Sequence, residues 1–182
     1  MSKQVQSSKI KNSWVLNFGI HLEFAWLPVD RDFDICHSYE RASLKKGLGK
    51  RLREMVPGLA GKSEMIVKEE DLVSRLGDVA VDVLSTPRLI QLLETAAIEA
   101  IQDFIPTDQL SLGTEVRIRH LSATPLGMKV TANALLKGVD KNRLFFLVDA
   151  YDEKEKVAEG EHERVLVSKE KFLQKVGKKR VG

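Results

Sequence analysis

The chain has 182 residues, of which 43% are hydrophobic and 30% charged, with a net charge of +3. That suits one domain with an appendage and supplies enough apolar side chains for a core. A single cysteine, Cys36, excludes an intramolecular disulfide and a cysteine-cluster metal site, and fits a reducing cytoplasm.

The front of the chain differs from the rest. Residues 1–55 carry a net charge of +4 and residues 56–182 a net −1, so the basic character is local. The stretch "WVLNFGIHLEFAWLPV" (14–29) is interrupted by Asn17, His21 and Glu23. It is too short and too polar to span a bilayer and lacks the cleavage pattern of a signal peptide. A nucleic-acid face would have to come from this segment or from the tail "KVGKKR" (175–180). Short basic tails are usually solvated, so neither nucleic acid nor membrane is the expected partner. The pattern changes at Met55-Val56-Pro57-Gly58, which places a boundary near residue 55. Residues 1–55 form an N-terminal extension of unknown role, and residues 56–182 form the main domain. Met55 as the true start, with a leader before it, and a real accessory arm remain two open readings.

Beyond the boundary the elements are clear. Residues 62–68 alternate weakly and predict a strand. Residues 69–77 predict a short helix or turn ended by Gly77, and residues 79–84 a short extended piece. A long helix is predicted from Pro87 to about Phe104, closed by Pro106. Thr86 suits the N-cap and Pro87 the first helical position, where its missing N–H costs nothing. Four strands follow, at about 112–122, 127–138, 142–151 and 156–167. The connections "ATPLG", "GVDKN" and "DEKEK" are short enough for antiparallel neighbours. One strand, one long helix and a run of long strands give an α+β class. The helix is apolar around well over half its circumference, as a central helix wrapped by a curved antiparallel sheet would be. That is the hot-dog fold.

One residue of the helix breaks its pattern. Arg88, Gln91, Thr95, Glu99 and Gln102 form a solvated stripe. Glu94 falls instead between Ile98 and Ile101, inside the apolar arc. A carboxylate there either sits at the arc's edge and reaches water, or is held in a cleft for chemistry. In "GTEVRIRHLS" (113–122), alternation puts Thr114, Val116, Ile118 and His120 on one inward face. An inward histidine is most often a satisfied core residue. With an inward glutamate on a neighbouring element it is a candidate acid/base pair. Arg164 shares its face with His162 and Leu166. His162, His21 and His37 have no partner visible in the sequence. "GLAGKS" (58–63) is not a phosphate loop, because Val56 stands where a glycine is needed, and no G-x-S-x-G elbow occurs.

Residues 57–174 resemble the hot-dog thioesterases of the fluoroacetyl-CoA thioesterase type. The resemblance rests on "STPRLIQLLETAA" (85–97), "SLGTEVRIRHLSATPLGMKVTA" (111–132) and "GEHERVLV" (160–167), in the expected order and spacing. It implies an acyl-CoA thioesterase acting on a small or short acyl group. The implied catalytic residues are Thr86, Glu94 and His120. Gly113 would offer its N–H to the thioester carbonyl, and Arg164 would lie close to the bound acyl-CoA. Glu94 would be nucleophile or general base, His120 a proton or hydrogen-bond donor, and Thr86 a positioner. No metal or redox cofactor is implied, CoA being part of the substrate. A homodimer or higher homo-oligomer is implied. One position departs from the resemblance. The fluoroacetyl-selective member carries an aromatic lid before its threonine, whereas "GDVAVDVLST" holds Ala80 and no aromatic, which points to another or a broader acyl group. A non-catalytic acyl-CoA-binding module and a hot-dog hydratase or dehydratase are the alternatives.

Overall fold

The structure, a computed structural model, describes residues 55–77 and 81–180. The expected boundary near residue 55 and the role of the preceding segment lie outside the described residues. The regular elements are β1 (Ala60–Ile66), α1 (Thr86–Ile101), β2 (Gln109–His120), β3 (Lys129–Asp140), β4 (Arg143–Asp152), β5 (Lys156–Ser168) and α2 (Lys169–Lys178). Their order and type match the sequence pattern, with two differences. The long helix ends at Ile101 and tightens into a single 3-10 turn, Gln102–Phe104, before Pro106. The basic tail is not simply solvated coil, because Ser168 caps a second helix there, its hydroxyl accepting from Lys171 N. That helix buries no residue, although Phe172, Leu173 and Val176 recur on it at helical spacing.

The five strands form one antiparallel sheet in the order β1-β3-β4-β5-β2. Its register shifts at Gly113/Glu115, Leu136/Gly138 and Ala150/Tyr151. Bulges of this kind increase twist and let a sheet curl. The curled sheet wraps α1, which buries Leu89, Leu92, Leu93, Ala96, Ala97, Ala100 and Ile101. Facing them are Val130, Ala132, Ala134 and Leu136 of β3 and Leu144, Phe146 and Val148 of β4. The small residues on α1 let backbone approach backbone. A Cβ at Gly61 of β1 would overlap Ala96 O and Ala100 N, so only glycine fits that crossing.

The start of α1 is held from below. Asp71 is 2% exposed; its carboxylate accepts from Arg88 Nε and from Lys68 N, and its carbonyl accepts from Ser85 N. This fixes the entry one residue earlier than expected. Ser85, in extended conformation, is the N-cap, and Thr86 is the first helical residue. Neither serine nor threonine caps with its side chain, so the Thr86 hydroxyl is free for another use. Among the described residues no helix is long and apolar enough to cross a membrane.

Candidate active site

The side chains singled out in the sequence gather in two groups. The first is at the start of α1. Thr86 Oγ1 lies 3.0 Å from His120 Nδ1, joining the first helical residue to the end of β2. His120 is half-buried, and its Nε2 is buried without a hydrogen-bond partner. Burial pushes the His120 pKa below its ordinary value, and a backbone hydrogen bond at Ser122 partly offsets this. The imidazole is therefore neutral near pH 7, with Nδ1 on Thr86 and Nε2 without a hydrogen-bond partner.

The second group lies two helical turns on. Glu94 is half-buried, and its Oε1 is 3.7 Å from His162 Nε2. It also lies against the backbone of β2: a Cβ at Gly113 would come within 2.5 Å of Glu94 Oε1 and 3.2 Å of His162 Cε1. The carboxylate occupies space that only a glycine leaves open. The bulge makes this possible. Alternation alone turns Thr114 inward, but the register slips between Gly113 and Glu115. Thr114 therefore points out and bonds Glu163, while Gly113, Val116, Ile118 and His120 share the inner face.

His162 and Arg164 complete the second group from β5. They are 3% and 4% exposed. Arg164 Nε donates to Ser111 Oγ (2.8 Å), Nη2 to Ser111 O (3.0 Å) and Nη1 to His162 Nε2 (3.1 Å). Three of its five N–H groups are thus engaged inside the chain. Its charge faces Glu94. Burial lowers the Arg164 pKa and the Glu94 carboxylate opposes this. His162, ordinary by sequence, is the residue that reading missed. Its signal was present: it alternates in phase with Arg164 and is flanked by Glu161 and Glu163.

Within one chain the two groups do not meet. Among the described residues no hydrogen bond or ion pair joins Glu94 to His120, the pair expected from the sequence. Eight residues of helix separate Thr86 from Glu94, about 12 Å of axial rise. The helical wheel also needs a refinement. Glu94 sits at the edge of the apolar arc with Ile90 half-buried and Ile98 37% exposed, on a flank the sheet leaves uncovered. Ala80, in the stretch where the resemblance implies a lid aromatic, lies outside the described residues.

The lowered histidine pKa values have a consequence for stability. Burial lowers His162 first, the Glu115 carbonyl opposes this, and the Arg164 charge lowers it further. A histidine depressed in the fold binds its proton more readily when unfolded, so its stabilising contribution is full above the ordinary value of 6.5 and declines below it. The carboxylates act lower. Glu64, held near about 2 by Lys129 and Lys62, and Glu163, lowered by Arg143, lose their contribution only below 4.5. Urea midpoints should therefore fall between pH 7.5 and pH 5, and fall less in His162→Gln. A midpoint that is flat or rising over that window would contradict the buried neutral histidines.

A curled antiparallel sheet around one helix is shared with solved enzymes. A thioesterase superfamily member from Thermus thermophilus superposes with a TM-score of 0.62 at 27% identity, covering 72% of this chain and 97% of its own. The class is the hot-dog thioester hydrolases. Within it, the family model for fluoroacetyl-CoA-specific thioesterase matches residues 67–170, a span that includes every site residue above. The fluoroacetyl-CoA thioesterase of Streptantibioticus cattleyicolor is 36% identical over 98 residues, 54% of this chain and 70% of that protein. A point mutant of the fluoroacetyl-CoA-specific thioesterase FlK superposes with a TM-score of 0.64 at 30% identity, covering 70% of this chain and 98% of that one. The chain belongs to the fluoroacetyl-CoA-specific thioesterase family.

Proposed function

We propose that the protein hydrolyses a small or short acyl-CoA to the free acid and CoA in the cytoplasm, with Thr86, Glu94 and His120 as the catalytic residues. The observation that carries this reading is the Thr86–His120 hydrogen bond, with His120 Nε2 buried and unpartnered, in a chain of this family. Glu94 supplies the carboxylate, as nucleophile toward the thioester carbonyl or as base toward a water. Gly113 N–H polarises that carbonyl. His120, aligned by Thr86, donates toward the developing oxyanion or the leaving thiolate. Arg164 holds a positive charge beside Glu94. The chemistry requires no metal and no redox cofactor.

A homodimer completes this constellation. Among the described residues β2 has a strand neighbour only on its β5 side, so its other edge is open. With Thr114 as the extra residue of the bulge, Gly113 and His120 lie three pairing positions either side of Arg117. Pairing β2 with a second copy about a two-fold axis at Arg117 sets the partner subunit's Gly113 opposite His120. The partner subunit's Glu94, which lies on its glycine, then reaches the Thr86–His120 pair. The separation of the two groups within one chain is what supports this arrangement.

Thiol release measured over a panel of acyl-CoAs tests the reaction. Free CoA should appear from at least one small acyl-CoA and be abolished by Glu94→Gln. Tight acyl-CoA binding without thiol release would replace this reading with a binding module. Fluoroacetyl-CoA should not be strongly preferred over acetyl-CoA, since "GDVAVDVLST" carries no aromatic; a strong preference would overturn that substrate assignment.

A further inference from the structure

His162 stands beside the proposed carboxylate without a part in the reaction, and its surroundings determine its protonation. Its Nδ1 lies 2.8 Å from Glu115 O. A carbonyl only accepts, so Nδ1 carries the proton. Its Nε2 lies 3.1 Å from Arg164 Nη1. A guanidinium only donates, so Nε2 presents a lone pair. One tautomer satisfies both contacts. Phe146 stacks on the ring, with centroids 6.1 Å apart and an interplanar angle of 29°, which holds its plane. The carbonyl belongs to the residue at which the β2 register resumes after the bulge, so the irregularity that opens space at Gly113 also aligns the histidine.

This places two unlike neighbours beside Glu94. The Arg164 charge attracts the carboxylate, while Nε2, 3.7 Å from Oε1, offers it no proton. A direct Arg164–Glu94 pair would tie the carboxylate in charge-assisted hydrogen bonds and weaken it as base or nucleophile. We propose that His162 is a positioning residue that binds Arg164 through Nε2, so that Arg164 stands near Glu94 without tying it in a hydrogen bond. The charged groups facing the imidazole are Glu94 from α1 and Arg164 and Glu163 from β5. On protonation, Nε2 becomes a donor. It releases Arg164, repels it, and turns to Glu94. The same residue therefore contributes an acid limb to kcat.

The inference rests on Glu94 being the reactive carboxylate, and two variants separate it from plain packing. Glutamine at 162 can set its Oε1 where Nε2 was and keep Arg164 anchored, whereas asparagine reaches only the Nδ1 position and frees it. His162→Asn should lower kcat by on the order of 10-fold to 10²-fold with little change in KM, since small misplacements of a reacting group carry losses of that size. His162→Gln should recover most of that loss. It should also show a smaller ratio of kcat at pH 8 to kcat at pH 5.5 than the natural sequence, the His120 contribution being common to both. Urea midpoints taken alongside show whether the two variants are equally folded. Asparagine and glutamine variants that lose activity in parallel with stability, or an unchanged pH ratio, would overturn the role of His162. If Glu94→Gln retained full thiol release, the functional reading itself would fall instead, so the two failures are distinguishable.

Discussion

Mixing two inactive variants should restore activity. Glu94→Gln and His120→Ala should each lower thiol release by on the order of 10²–10⁴-fold, the usual size of a lost acid/base group. If each site takes its glutamate from one subunit and its histidine from the other, a heterodimer of the two variants holds one site with both defects and one with neither. Random re-pairing after mild dissociation makes half the dimers mixed, so the blend should reach about a quarter of the natural activity under two-fold symmetry. The structural basis is the division seen in a single chain: Thr86 bonds His120, and Glu94 lies instead against Gly113 and His162. A blend no more active than its components would refute the shared site and return the search to one chain, where the helix would have to move to join the groups.

Gly113→Ala is expected to have the next largest effect. The added methyl would stand 2.5 Å from Glu94 Oε1, well inside contact distance, and 3.2 Å from a buried histidine carbon. The histidine is held by Glu115 and Arg164 and need give by only a few tenths of an ångström. The half-exposed carboxylate must move further, so it turns away from the strand. Displacing a reacting group by about 1 Å is enough for a loss of roughly 10²-fold in rate. Because Gly113 is exposed and its strand geometry admits alanine, the denaturation midpoint should move little. Steady-state kinetics beside urea unfolding checks both halves. An unchanged kcat would mean that Glu94 does not work from the position it holds against β2.

Much of this architecture is legible without coordinates, and the limits have physical causes. The helix over α1 follows from its apolar arc, and β2 to β5 follow from alternation and turn chemistry, because local periodicity carries the burial of each face. Alternation fails at Gly113–Glu115, since a bulge inserts a residue and inverts which parity faces in. Alternation therefore puts Thr114 inward, whereas Gly113, a residue with no side chain to read, is the inward neighbour of Glu94. The cap at Thr86 was displaced to Ser85 by Asp71, a contact between residues distant in sequence that no local propensity encodes.

The sequence by itself determined the hot-dog class, the family, and the oddity of Glu94 on its helix, because composition, period and motif spacing are properties of the linear chain. Tertiary structure decided which groups meet. It joined His120 to Thr86, gave Glu94 to His162 and Gly113, and turned Arg164 inward onto Ser111. Those pairings depend on how α1 crosses β2 and on where the bulge falls, and hydrogen bonds a few ångströms long are set by that crossing.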